Sequence, residues 1–176
     1  MAVTLYLDVG NSACKWRLTG SGPVQQGGFY HRGDWSQLLA ALPSLRPQRI
    51  VVASVAGQEN NARLTQVLEA GLHTTPIFHT SESCALGVAN AYADTRRLGV
   101  DRWLGVVEAH ASYGASIIID SGSALTIDAV TGAGRHLGGY IVPVLNLMRQ
   151  SLRGGTAGVR PDERAWGETG LGVHTD

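Results

Sequence analysis

The sequence predicts an α/β protein built from one strand–turn–strand unit used twice, the second copy shortened at its C-terminal end. Two hydrophobic strands end in matching turns, Asp8-Val9-Gly10-Asn11-Ser12 and Asp120-Ser121-Gly122-Ser123-Ala124. Strands of period two precede helices of period near 3.6 in both copies. The spacing from Asp8 to Asp120 leaves too few residues after position 114 for a second unit as long as the first. The expected domains are therefore 1–114 and a partial 115–176.

Val3, Leu5, Leu7 and Val9 alternate with Thr4, Tyr6 and Asp8, and the pattern resumes at Cys14-Lys15-Trp16-Arg17-Leu18 beyond a polar tip, which reads as a hairpin. After Gly20-Ser21-Gly22-Pro23, residues 24–31 form a third strand, and Asp34 is placed to cap a short helix carrying Leu38, Leu39 and Leu42. Residues 49–55 read as a buried strand, followed by a helix with Leu64, Val67, Leu68 and Leu72 on one face. A helix over 101–113 places Trp103, Val106, Val107 and His110 together, so it should pack across one of the sheets. The second copy then starts with Ile117-Ile118-Ile119-Asp120, continues through strands over 124–130 and 136–142, and ends in a helix with Leu145, Met148 and Leu152 on one face.

The 176 residues carry 14 basic and 14 acidic side chains, so the field that sequence-independent nucleic-acid binding needs is missing. With 44% hydrophobic and 16% charged residues the chain folds rather than staying disordered. Cys14 and Cys84 form neither a CxxC nor a disulfide framework and read as reduced thiols. The N-terminus lacks signal-peptide sections, and no apolar run is long enough to span a membrane, so the expected compartment is the cytoplasm and no membrane partner is expected.

Either turn alone is an ordinary Asp-x-Gly turn. Two in matching contexts point to chemistry: a strand-end carboxylate can hold a hydrated cation, and a Gly-rich turn exposes backbone N–H groups to phosphate oxygens. Facing copies would clamp a nucleotide.

Further motifs join these turns: Ser54-Val55-Ala56-Gly57, Tyr92, Leu98-Gly99-Val100-Asp101-Arg102-Trp103, Ile119-Asp120-Ser121-Gly122-Ser123-Ala124-Leu125-Thr126-Ile127-Asp128 and His136-Leu137-Gly138-Gly139-Tyr140-Ile141-Val142-Pro143. In this order and spacing, from Val3 to about Arg153, the chain resembles the type III pantothenate kinases. That family makes 4′-phosphopantothenate in the first step of coenzyme A synthesis and belongs with acetate and sugar kinases, heat-shock chaperone ATPases and actin. The resemblance implies two ribonuclease-H-like (actin-like ATPase) domains with ATP between them, and pantothenate held beside a homodimer interface.

It also implies roles. Asp8, Val9, Gly10, Asn11, Ser12, Ala13, Cys14 and Lys15 correspond to the first phosphate loop, with Asp8 near Mg2+. Asp120 corresponds to the ligand of a monovalent cation, K+ or NH4+, and Ser123 to an ATP contact. Ser12 and Ser123 replace the family's usual Thr and keep its hydroxyl. Gly99, Val100, Asp101 and Arg102 correspond to the substrate segment, with Asp101 as catalytic base and Arg102 on the pantothenate carboxylate. Tyr92 lines the same pocket, and Thr169 corresponds to a residue reaching pantothenate across the dimer. The chain departs from the pattern at Val144, where Gly is usual, and has no counterpart of the later Gly-Gly-Asp segment that holds adenosine.

The residues read by themselves leave simpler roles open. Asp101 suits an N-cap, Lys15 a solvated strand position, Asp128 a strand end, and Tyr92 and Trp103 ordinary core aromatics. His31, His73, His79, His136 and His174 share no metal-like spacing. Two functions follow: an ATP-dependent pantothenate kinase, or a non-catalytic, accessory-factor-like relative that binds ligand or partner.

Overall fold

The computed structural model describes residues 2–20, 22–43 and 46–156. Its elements are β1 (Thr4–Val9), β2 (Ala13–Thr19), β3 (Gln25–Tyr30), α1 (Leu38–Ala41), β4 (Arg49–Ser54), α2 (Gln58–Leu72) and β5 (Ile77–His79). A small hairpin, β6 (Cys84–Ala85) and β7 (Val88–Ala89), and a 3-10 turn at Thr95–Arg97 lead into α3 (Val100–Tyr113). The chain continues through β8 (Ser116–Ser121), β9 (Ala124–Val130), β10 (His136–Pro143) and α4 (Leu145–Gly155).

The first sheet has the order β3-β2-β1-β4-β5. β1 pairs antiparallel with β2 and parallel with β4, the mixed arrangement of a ribonuclease-H-like unit. Alternation along β1 sends Leu5, Leu7 and Val9 into a core with Ile50, Val52, Leu38, Leu64 and Leu68, and each such side chain contributes about 1.5–3 kcal/mol on burial. The same alternation turns Tyr6 and Asp8 to the opposite face. The second sheet, β10-β9-β8, is antiparallel and repeats the opening three strands of the first. The fold is α/β of the actin-like ATPase class.

α3 links the two sheets, touching β8 and β9 and reaching β4. Trp103, Val106 and Val107 pack with Val88, Leu98 and Val130 in a second core, as the helical spacing predicts.

Three local readings change. Asp34 does not cap α1: its carboxylate accepts from the Ser36 N–H and hydroxyl, both at 2.9 Å, in a turn before a one-turn helix whose N-cap is Gln37. Asp101 is not the N-cap of α3; Gly99 is, and Asp101 sits in the first turn. Asp128 does not end a strand but lies inside β9, buried. Strands β5 to β7, of two or three residues each, are too short to carry a readable alternation.

Candidate active site

In both Asp-x-Gly turns the glycine N–H closes the turn onto a later carbonyl, three residues on in the first and two in the second. The Gly10 N–H donates to the Ala13 carbonyl at 2.9 Å, and the Gly122 N–H to the Ala124 carbonyl at 3.0 Å. The first turn is further tied to the loop after β3. The Gly33 N–H donates to His31 Nδ1 (2.9 Å), which leaves Nε2 as the protonated nitrogen, and this donates to the Gly10 carbonyl at 3.0 Å. The buried His31 ring stacks on Trp35 with 4.3 Å between ring centres, and the His31 N–H donates to the Ser12 carbonyl. Backbone rather than exposed side chains therefore fixes the turn.

Asp8, Lys15, Asp101, Arg102, Asp120 and Asp128 border one cleft of about 390 Å³ between the sheets and α3. A neighbouring cavity on the outer face of the first sheet shares Asp8, Lys15, Ala53 and Leu104 with it. Burial holds the Asp8 carboxyl above its ordinary range, Lys15 opposes this, and Asp101 and Asp120 add to it. Asp101 and Asp120 thus act on Asp8 across the cleft, although both lie far from it in sequence. The Lys15–Asp8 pair, at 3.8 Å and largely exposed, contributes little stability.

Among the described residues no group of three His, Cys, Asp or Glu side chains could hold a metal ion unaided. Asp8 and Asp120 border the cleft as separate carboxylates, and Mg2+ usually takes one or two carboxylates and completes its shell with water and substrate phosphates.

Asp101 is held in the first turn of α3, where its Oδ1 accepts the Arg102 N–H at 2.8 Å. A side chain on Gly99 would overlap that same oxygen, so the glycine leaves room for the carboxylate. Arg102 is engaged from behind: Nε and Nη2 donate to Asp128 Oδ2 and Oδ1 at 2.8 and 2.7 Å. Its guanidinium is held above its ordinary pKa first by this bond, against burial, with Tyr92 assisting. His136 Nε2 lies 3.0 Å from Asp128 Oδ1, and the Tyr92 ring stacks on His136 at 6.2 Å.

The structure therefore brings Asp8, Lys15, Asp101, Arg102 and Asp120 together. Tyr92 borders an adjoining cavity of about 480 Å³ on the far side of Asp128. Val9 and Cys14 point into the core and offer the cleft only backbone, and Val100 is also buried. Asn11, Ser12, Ala13 and Ser123 lie in or beside the two turns. Thr169 falls outside the described residues. Sequence reading missed the roles of Asp128, His136 and His31; an acid inside the hydrophobic strand Ile127-Asp128-Ala129-Val130 was the available signal, since Asp is seldom fully buried unpaired.

A family model described as type III pantothenate kinase matches residues 4–175. A type III pantothenate kinase of Alcanivorax borkumensis is 44% identical over 97% of this chain and 71% of its own length. That of Marinobacter nauticus is 38% identical over 85% of this chain and 62% of its own length, so the chain spans roughly two thirds of these relatives. Among solved structures, the ethanolamine utilization protein EutJ from Carboxydothermus hydrogenoformans superimposes with a TM-score of 0.51 at 11% identity, covering 88% of this chain and 57% of that one, a likeness of fold alone. The family model covers residues 4–175 of the 176 and the Alcanivorax borkumensis relative is 44% identical over 97% of this chain, so the chain belongs to the type III pantothenate kinase family.

Proposed function

We propose that this cleft transfers the γ-phosphoryl group of ATP to the primary hydroxyl of pantothenate, giving 4′-phosphopantothenate and ADP. The observation that carries this reading is the convergence of Asp8, Asp101 and Asp120 on one cleft with Arg102 beside them. The P–O bond to ADP breaks, a bond to the hydroxyl oxygen forms, and Asp101 accepts the hydroxyl proton. Its carboxylate is steered by the Arg102 N–H. Arg102 binds the substrate carboxylate through guanidinium donors not used by Asp128, a geometry that a Lys ammonium would not reproduce.

Asp8 would hold Mg2+ and Asp120 a monovalent cation; when bound, these ions neutralise charge on the transferring phosphoryl group and the leaving ADP. Lys15 and the turns around Gly10 and Ser123 face the triphosphate. We also read the protein as a cytoplasmic homodimer in which Thr169 completes the partner's pantothenate pocket. Two free thiols support the compartment, and the exposed Ile117, Ile119 and Tyr140 on the second sheet support an assembly. Among the described residues no helix is long and apolar enough to cross a membrane.

A coupled assay of ADP release, with pantothenate present and omitted, tests the reading. Pantothenate-dependent release is expected. Pantothenate binding without ADP release would favour the non-catalytic alternative.

A further inference from the structure

Arg102 lies at the end of a chain of buried polar groups that the transfer chemistry does not itself require. The Ala91 N–H approaches His136 Nδ1 at 3.4 Å, which leaves the proton on Nε2 to be donated to Asp128 Oδ1 at 3.0 Å. Asp128 in turn takes both near-side donors of the guanidinium. His136, Asp128 and Arg102 are all buried, so each orientation is fixed by its neighbour rather than by water.

The backbone makes room for this chain. The pairing of β9 with β10 shifts register between His136 and Gly139. A side chain on Gly139 would overlap the Ile127 carbonyl and the Asp128 carboxylate and come within 2.7 Å of Arg102 Nη2. Only a glycine at this bulge lets the ion pair lie against the strand. At the other end, Ala91 belongs to a segment fixed by the Asn90 N–H on the Ser83 carbonyl and the Tyr92 N–H on Asn90 Oδ1, both at 2.9 Å.

We propose that His136 and Asp128 are positioning residues for the carboxylate end of the acceptor substrate, aiming Arg102 into the cleft and locking it to the segment that carries Tyr92. The proposal rests on the kinase reading above and adds to it the source of Arg102's orientation. Because Asp128 neutralises much of the guanidinium charge, the anchor selects a substrate by geometry, favouring a carboxylate that meets the outer guanidinium edge in plane. Asp128 borders the cleft shared with Asp8, but the hydrogen bonds of His136 and Asp128 run to Arg102 and Ala91 rather than to Asp8 or the first turn, so the acceptor side should sense their loss more than the nucleotide side.

The test is steady-state kinetics of the full chain with His136→Ala, with His136→Gln, whose amide N–H can still reach Asp128, and with Asp128→Asn. Expected for His136→Ala is a rise of about tenfold in KM for pantothenate, the loss of one hydrogen bond to a charged group, with kcat and the KM for ATP little changed. His136→Gln should recover most of that rise. If His136→Ala does not fold, the same comparison is made between His136→Gln and His136→Asn, whose shorter amide stops short of Asp128. Equal rises in both KM values, no rise in either, or a folded His136→Gln that recovers nothing overturns the proposal. A wild-type chain that neither binds nor phosphorylates pantothenate is a distinct failure, which overturns the kinase reading and this role together.

Discussion

Removing the Asp128 carboxylate should cost this fold far more than removing any surface acid. Arg102 and Asp128 side chains are only 7% and 2% exposed, and two hydrogen bonds of 2.8 and 2.7 Å join them. Asp128→Ala leaves a guanidinium buried without its counter-charge, a loss of about 3–5 kcal/mol. By contrast Arg63 and Glu59 approach to 2.6 Å on α2, but their side chains are 57% and 80% exposed, and a helical pair of that kind is worth about 0.3–0.5 kcal/mol. For a chain of this size each kcal/mol moves Tm by about 2–4 °C, so Asp128→Ala should lower Tm by about 10 °C and Glu59→Ala by about 1 °C. Replacing both partners, Arg102→Met with Asp128→Leu, removes both buried charges and should recover most of the loss. Thermal and urea unfolding of the four corners of the cycle measure this. A loss under about 1 kcal/mol for Asp128→Ala, or a double variant that simply adds the two single losses, would refute the assignment of this pair as a buried, mutually dependent unit.

Other outcomes follow from the same site. Asp101→Asn keeps the size and the oxygen that accepts the Arg102 N–H but removes the proton acceptor; kcat should fall at least ~100-fold with Tm nearly unchanged, and a variant retaining a tenth of the turnover would contradict the base assignment. Burial raises the Asp8 carboxyl in the fold, so its favourable protonated form is fully present below the unfolded carboxyl pKa of about 3.9 and is lost as pH rises through the higher folded value. Asp8→Asn should therefore raise Tm at neutral pH, with the gain vanishing below about pH 4, while turnover is lost; a lower Tm at pH 7 would contradict the sign. Burial, with Asp8 adding, pushes the Cys14 thiol up to about 12, whereas Cys84 is exposed. Iodoacetamide at pH 8 should modify Cys84 alone in the folded chain, as read by mass spectrometry of tryptic peptides.

The architecture was legible where the side-chain period was strong. Leu5, Leu7 and Val9 announced β1 and its buried face, and Trp103, Val106 and Val107 announced the packing face of α3. The paired turns at Asp8 and Asp120 located the cleft because each closes a hydrophobic strand in the same way. β5 to β7 escaped because two or three residues carry no period. The Arg102–Asp128–His136 chain escaped because it exists only once α3 docks on the second sheet and joins residues far apart in sequence. On that sheet one face serves both purposes: Asp120 and Asp128 line the cleft with Ile118, Ile118 and Val130 also join the second core, and Ile117 on the other face is exposed. A strand beside a polar cleft carries acids and core residues on one face, so apolar alternation alone does not tell which face is buried.

The most direct test of the account is 31P NMR of the purified chain with ATP, Mg2+, K+ and pantothenate, run beside Asp101→Asn. The account predicts that wild-type protein converts the ATP signals into ADP and a phosphomonoester on the pantothenate hydroxyl, only when pantothenate is present, and that the variant leaves them unchanged over the same time. ADP formed equally without pantothenate, or identical spectra from wild type and Asp101→Asn, would contradict it.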